Sequence, residues 1–150
     1  DASLGDELMY SMDRWDGYVE AQQRLTEFLG TERVSNPVIV AGDIHTSWIN
    51  DVKSDVRDPE SPAVAAEFVG TSLVSGGDGQ DRTGTITDIQ RLNPHIHYHD
   101  ARRGYVTVEA SADLLQADYR QVPFVTRPGA PVTTETSYVV EPGLAGTRPA

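Results

Sequence analysis

Residues 37–48 read PVIVAGDIHTSW, a stretch that combines a continuous apolar run with the strongest candidate for a functional site in the chain. Residues 37–41 are apolar and mostly β-branched, and Pro37 and Gly42 bound the run. Such a run predicts a strand buried on both faces, as in a sheet that helices cover. Because site residues of α/β proteins gather beyond the carboxyl ends of strands, the residues after this strand are the first place to look for chemistry.

The segment after the strand combines a glycine with two side chains that can bind metals. Gly42 lets the backbone turn sharply, and the two-residue spacing of Asp43 and His45 can bring a carboxylate oxygen and an imidazole nitrogen to the same side of an extended loop. Together these ligands suit Fe, Mn or Zn, and the carboxylate also suits Ca. Spacing alone leaves a second interpretation open, in which Asp43 is a turn residue and His45 a hydrogen-bonded structural histidine.

A helix is predicted before this strand. Apolar residues recur at helical spacing from Trp15 to Leu29, and Asp13 or Asp16 can cap the amino end. Gly30 lies where a helix often ends in a residue with positive φ. The periodicity places Trp15 and Tyr18 at least partly in the core.

The rest of the chain predicts short strands and turns, with no repeat and no internal domain boundary. The pattern predicts a surface loop over residues 51–62, a strand or short helix over 63–69, a flexible loop over 75–84, strands over 96–100 and 104–110 joined by a tight turn, a turn or cap at Ser111 before a brief helical segment, strands over 117–122 and 133–140, and a frayed tail over 141–150.

Composition excludes several classes of function. The formal net charge of −11 and the pI near 4.6 argue against a nucleic-acid partner or an anionic membrane surface, since both require a basic face. The chain has no cysteine, and therefore no disulfide or thiolate site. No run approaches the roughly 20 apolar residues of a membrane span, so an integral membrane protein is not expected. The first residues lack a methionine and the pattern of a signal peptide, which suggests an internal start.

Several sequence blocks together resemble the C-terminal signature of a known enzyme family. The blocks are MDRWDGY at 12–18, QRL at 23–25, GDIHTSW at 42–48, EFVGTS at 67–72, SGG at 75–77, NPH at 93–95, RGY at 103–105 and ADYR at 117–120. In this order they are similar to the PhoD-like alkaline phosphatases, a metallophosphoesterase family that includes secreted phospholipase D enzymes. The resemblance covers roughly residues 12–140.

This resemblance implies a fold and a domain organisation. The chain is expected to be α/β (α+β), with residues 1–140 forming the C-terminal portion of a metallophosphoesterase-type β-sandwich flanked by helices. Residues 141–150 are expected to form a flexible tail. The N-terminal part of the domain, with the family's earlier ligand blocks, has no counterpart in this chain.

The resemblance also implies a metal site. The family's Gly-Asp-x-His block supplies metal ligands, so Asp43 and His45 are expected to bind a cluster containing Fe with Ca, with Zn or Mn as alternatives. The implied reaction is hydrolysis of phosphate esters by a metal-activated water or oxo group, and no side chain of this segment is needed as the nucleophile. Ser47, Trp48 and Asn50 are placed to support the ligands, although Trp48 can equally be packed core.

Other candidates are weaker. Trp15 and Asp16 can border the substrate entrance, and His95 belongs to the family's Asn-Pro-His block. His95, His97 and His99 alternate along a predicted strand and would face one way, which mimics a row of ligands, but a solvated sheet face is the commoner interpretation of His97 and His99. The adjacent arginines at 102–103 can bind an oxyanion or simply form an exposed turn. The glycine-rich segment 75–79 lacks the remaining features of a phosphate-binding loop.

One ligand pair is too little for a metal cluster, which needs about six or seven protein ligands when two ions are bound. We therefore expect a partner, the N-terminal chain of the same enzyme, either as the missing part of a longer protein or as the second chain of a proteolytically nicked one. Without it, the strand at 37–41 would lie at an open sheet edge, which proteins avoid.

The predicted function is a secreted, metal-dependent hydrolase of phosphate esters, of the alkaline phosphatase or phosphodiesterase type. A phospholipase D-like phosphodiesterase acting on phospholipids is the first alternative. A noncatalytic extracellular binding module, in which Asp43 and His45 are structural, is the second.

Overall fold

Two four-stranded sheets form the framework of the computed structural model, which describes residues 15–31, 34–55, 57–58, 60–80 and 86–150. Within these ranges a 3₁₀ turn (Trp15–Gly17) precedes the helices α1 (Val19–Leu29) and α2 (Ile86–Leu92), and the strands are β1 (Val38–Ala41), β2 (Ser47–Lys53), β3 (Ala63–Val69), β4 (Ile96–Asp100), β5 (Arg103–Ala110), β6 (Leu115–Val122), β7 (Thr133–Val140) and β8 (Arg148–Pro149). Neither helix of the described chain is long and apolar enough to cross a membrane.

The first sheet has the strand order β1-β3-β2-β4, with β1 parallel to β3 and the other pairs antiparallel. The strand predicted at residues 37–41 is present, but it lies at the edge of the sheet and Val40 is 64% exposed. In the described chain β1 is therefore not buried on both faces, and it lies at the open edge that was expected without the N-terminal part. The strand buried in this way is β3, because neighbours pair with both of its edges and its apolar residues lie inside.

The second sheet is an antiparallel meander in the order β5-β6-β7-β8. Its inner face packs on the first sheet in one core, which is built from Ile49, Ala66, Phe68, Ala117, Tyr119 and Val140. The hydroxyl of buried Tyr119 donates a hydrogen bond of 2.6 Å to the carbonyl oxygen of Trp48, which ties β6 to β2. This two-sheet arrangement confirms the predicted fold class.

The first helix ends at Leu29 with Gly30 as its C-cap, as predicted, but it begins at Val19 and not at Trp15. Tyr18 is the N-cap, no side-chain hydrogen bond caps the helix, and Trp15 and Tyr18 are 50% and 61% exposed and not in the core. Of the two predicted caps, Asp13 lies outside the described residues, as does the side chain of Asp16. Gly30 has a φ of −73°, so positive φ is not the reason for a glycine here. A Cβ at this position would lie 3.1 Å from Val64 Cγ1, which indicates close packing of the helix end on β3.

Other local predictions were wrong because pairing in the sheets overrides local pattern. Residues 51–53, predicted as loop, extend β2. The tight turn predicted between β4 and β5 is present, but the two strands belong to different sheets. The turn predicted at Ser111 is present, since the Ser111 hydroxyl accepts the backbone N–H groups of Asp113 and Leu114, but β6 follows it in place of the predicted helical segment. Helix α2 was not predicted at all.

The C-terminal segment, predicted as a flexible tail, lies against the sandwich. Its strand β8 pairs with β7, and Thr147 is buried. The Thr147 backbone N–H donates to Asp51 Oδ1 at 2.7 Å, and the other carboxylate oxygen lies 2.9 Å from His97 Nε2. Gly146, with a φ of +88°, crosses this carboxylate so closely that a Cβ would lie 2.9 Å from it. Buried polar partners therefore hold a segment whose composition suggested fraying.

Replacing Asp51 with asparagine is expected to release this segment and to lower the free energy of unfolding by about 2 kcal/mol, the size of a hydrogen bond to a charged group. Burial alone would raise the pKa of Asp51, but hydrogen bonds from His97 and Thr147 outweigh it and hold the pKa below its ordinary value of 3.8. The stabilisation is therefore present above pH 3.8 and is lost as the pH falls through the lower, folded-state pKa.

Chemical unfolding as a function of pH, with amide hydrogen exchange at Thr147, measures this effect. Asp113→Asn, a change at an exposed carboxylate in the β5–β6 turn, is the matched control. Unchanged exchange at Thr147 in Asp51→Asn would contradict the role assigned to Asp51.

Candidate metal centre

The loop with the predicted ligands lies where several strands of the first sheet end. Because β1 and β3 are parallel, their carboxyl ends share one edge, and the backbone N–H of Gly70 donates to Ala41 O at 2.9 Å there. The antiparallel strand β2 begins at the same edge, with Ser47 opposite Asp100 at the end of β4. Residues 42–46, 70–79 and 101–102 therefore meet at one end of the sheet.

Two residues of this loop have unusual backbone conformations. Asp43 has a φ of 72° and His45 a φ of 61°, in the left-handed region that costs most side chains energy. The loop is closed by a 2.9 Å hydrogen bond from the Ile44 N–H to Gly42 O and by one of 3.0 Å from the Thr71 hydroxyl to His45 O. Strained residues of this kind cluster at functional sites. Both side chains are exposed at the strand ends.

The side chains of the loop are suitable types of metal ligand, but there are too few of them to hold a metal ion alone. A carboxylate and an imidazole are ordinary ligands of Fe, Zn or Mn. Within the described part of the chain, no three or more His, Cys, Asp or Glu side chains form a group that could hold a metal ion. Asp43 and His45 can therefore contribute to a metal site, but further ligands must come from elsewhere.

The predicted supporting residues follow the loop along β2 and diverge. Ser47 is buried. Trp48 contacts the loop directly, since its indole N–H donates to Thr46 Oγ1 at 2.7 Å and its ring meets the edge of the His99 ring with the centroids 4.2 Å apart. Asn50 lies farther from the loop and donates to Glu67 Oε2 at 2.6 Å. Of the three, Trp48 therefore braces the loop.

A cleft of about 390 Å³ lies between α1 and the first sheet and brings together other predicted residues. Half-exposed Trp15 borders it, and Asn50, Glu67 and His95 belong to its polar lining. Burial lowers the pKa of His95, and the charge of Lys53 lowers it further. In the described structure, Asn50 Oδ1 and His95 Nδ1 are buried without hydrogen-bond partners. The side chain of Asp16 lies outside the described residues.

The three alternating histidines do not share a face, contrary to the prediction. A register shift places Tyr98 opposite Ile49 and Ile96 opposite Asn50, so that His97 is the extra residue of a β-bulge. His97 turns to the second sheet and stacks on Tyr138, with the ring centroids 6.2 Å apart. His95 lies in the cleft, and His97 is exposed as expected. His99 is buried against Trp48, so a solvated face was the wrong expectation for His99.

The two neighbouring arginines are not an exposed turn. Arg102 pairs with Asp100 at 2.6 Å and with Glu135 at 3.0 Å, and the hydrogen bonds to Asp100 raise the pKa of its guanidinium. Arg103 is only 4% exposed and reaches into the loop after β3. Sequence reasoning missed the contacts of Thr71 and Arg103, because they depend on which strand ends come together.

Comparison with known proteins assigns the chain to a family. Residues 2–119 match the profile of the PhoD-like phosphatases. The chain belongs to this family. It is 40% identical over 140 residues to alkaline phosphatase D of Bacillus subtilis strain 168, an alignment that covers 93% of this chain and 24% of that protein. The resemblance inferred from the sequence blocks is thereby confirmed.

A solved structure of PhoD supports the same assignment. It superposes with a TM-score of 0.87 at 40% identity, over 94% of this chain and 27% of that structure. The chain thus spans about a quarter of the length of these PhoD-like relatives. The PhoD-like fold described above is consequently a portion of the architecture of those proteins.

Proposed function

We propose that the chain is the C-terminal part of a metal-dependent hydrolase of phosphate esters, called the full-length enzyme below, and that Asp43 and His45 are two of its metal ligands. The observation that supports this proposal best is the loop 42–46. It carries a carboxylate and an imidazole on a strained backbone at the strand ends, and it lies within the region that matches the phosphatase family. Positive φ at two ligand-type residues, two positions apart, gives the loop a backbone conformation that clusters at functional sites.

The chain's own residues have a positioning role in this proposal. Thr71 fixes the carbonyl of His45, and Trp48 fixes the hydroxyl of Thr46, so the loop is held from two neighbouring strands. When bound, metal ions such as Fe with Ca, or Zn or Mn, would polarise the phosphoryl oxygens and activate a water for in-line attack. Rigid support matters because small displacements of metal ligands strongly lower the catalytic rate.

A partner is the second part of the proposal. Two ligands leave most of the four to six positions of a metal ion to be filled. On its outer side, β1 pairs with no strand of the described chain, which leaves backbone N–H and C=O groups available to another strand. The N-terminal portion of the same enzyme, continuous with this chain or associated with it after a proteolytic nick, would supply both the ligands and the strand. Secretion remains a prediction from the family resemblance.

The first experiment combines native mass spectrometry of the full-length enzyme with elemental analysis and an activity assay. We expect bound metal and hydrolysis of 4-nitrophenyl phosphate or bis(4-nitrophenyl) phosphate, with activity lost on chelation and recovered when metal is returned. The ratio of the two rates distinguishes a monoesterase from a diesterase. A folded, metal-free protein that hydrolyses neither compound would contradict the proposal and favour a noncatalytic binding module.

A further inference from the structure

Two apolar side chains stand out beside the candidate metal loop. Leu73 and Val74 are each 66% exposed, at the tip of the turn that follows β3. Thr71, two residues before Leu73, donates its hydroxyl to His45 O at 3.0 Å. Leu73 and Val74 follow Thr71 by two and three residues, which span at most about 11 Å of backbone, so the exposed pair lies near the loop that carries Asp43 and His45.

The turn is held by hydrogen bonds from a buried arginine. Arg103 Nη1 donates to Ser72 Oγ and to Ser75 O, both at 2.5 Å, and Nη2 donates to Ala101 O. The first two acceptors flank Leu73 and Val74 on either side. Ser72 Oγ also donates to Ser75 O at 2.8 Å, which closes the turn.

The segment after the turn is equally restrained. Gly79, with a φ of +74°, passes so close to Arg103 and the chain beside it that a Cβ would lie 2.1 Å from Ala101 O. Asp78 Oδ1 accepts the backbone N–H groups of Val125 and Thr126 at 2.7 and 2.9 Å, which ties the segment to the loop after β6. Composition suggested a flexible loop, but these contacts hold the turn and its apolar tip in one place.

We propose that Leu73 and Val74 form an apolar lip of the substrate site, and that they contact the alcohol part of the phosphate ester. Arg103 is the positioning residue that presents this lip. The proposal rests on the proposed function and adds a substrate class, namely esters of apolar alcohols. A phosphoryl group bound through metal at Asp43 and His45 would have its ester substituent near this turn, and apolar surface there gains free energy when it is covered.

The test compares two phosphomonoesters in the full-length enzyme, 1-naphthyl phosphate with an apolar alcohol and glycerol 1-phosphate with a polar one. For Leu73→Ser combined with Val74→Ser, we expect the ratio of kcat/KM between the naphthyl and glycerol esters to fall about tenfold or more, because an apolar pocket discriminates by this order for each group it binds. Leu92→Ser is the matched control, since Leu92 is 64% exposed on α2, and its ratio should equal that of the parent.

The outcomes separate this inference from the proposed function. A parent enzyme that hydrolyses neither ester overturns the proposed function itself. A parent that is active, with a double variant that loses both esters equally, overturns the lip and assigns the turn a structural role. A ratio that does not change in an active double variant also overturns it, and strong hydrogen-exchange protection of the turn in the parent would then show that the rest of the enzyme covers the pair.

Arg103 is tested by the same ratio. Arg103→Met should lower the ratio and speed amide hydrogen exchange of residues 73 and 74 while metal content stays at the level of the parent. Arg103→Lys, which keeps the charge but has fewer donors, should give an intermediate ratio. A variant that loses metal, or loses both esters in parallel, would assign Arg103 to general stability and not to the lip.

Discussion

Replacing Asp43 with asparagine in the full-length enzyme is expected to lower kcat/KM for phosphate-ester hydrolysis by about a thousandfold or more, and to reduce the metal bound per chain. An amide is a neutral and weaker ligand than a carboxylate. A catalytic metal contributes several kcal/mol of transition-state stabilisation, and about 1.4 kcal/mol corresponds to a factor of ten in rate. Asparagine tolerates positive φ nearly as well as aspartate, so the backbone at Asp43, with its φ of 72°, should be retained.

Steady-state kinetics and elemental analysis on the same preparations provide the measurement. His45→Asn should behave in the same way, because asparagine also accepts the positive φ at this position. Asp113→Asn removes an exposed carboxylate from a distant turn and should leave both readouts at the level of the parent. If Asp43→Asn kept its metal and its kcat/KM within about twofold, Asp43 would be a turn residue and the proposed ligand role would be wrong.

The chain expressed by itself is expected to hydrolyse no phosphate ester above background and to retain no stoichiometric metal. It contributes only two of the ligands that we propose, and the open edge of β1 invites association with other copies. Co-expression with the N-terminal portion of the enzyme as a separate chain should restore both metal and activity. Activity assays measure hydrolysis, elemental analysis measures bound metal, and light scattering measures association of the chain with other copies.

Val40→Lys tests the contribution of the open edge. Val40 is 64% exposed on β1, and a lysine on an edge strand opposes pairing with a second copy. The variant should therefore reduce association of the isolated chain without making it active. An isolated chain that is monomeric, binds metal and hydrolyses phosphate esters would contradict the proposed partner.

Strands with a clear local sequence pattern were predictable from the sequence, whereas the strands with which they pair were not. The ranges of β4 and β7 were predicted correctly, because alternation and turn residues mark them. The pairing of β4 with β2 and of β5 with β6 depends on the whole fold, so the sequence did not show that the tight turn between β4 and β5 leads from one sheet to the other. The prediction of burial failed for the same reason, since β1 has the most apolar pattern but lies at an edge.

The candidate site shows the same division. Asp43 and His45 were found from a local block after a strand, and the structure adds their left-handed backbone. The β-bulge opposite Ile49 and Asn50, which separates His97 from its neighbours, leaves no mark in the alternating sequence. Arg103 was interpreted as an exposed turn residue because nothing local indicates that the loop after β3 encloses it.

The anchoring of the turn at residues 72–75 has a consequence for how substrate preference can change. Its hydrogen bonds from Arg103 engage Ser72 Oγ and Ser75 O, and neither uses the side chain of Leu73 or Val74. Side chains at these two positions can therefore be exchanged while the hydrogen bonds that shape the turn are kept. In a directed-evolution experiment, positions 73 and 74 form a two-residue library in which selectivity varies and folding is largely preserved.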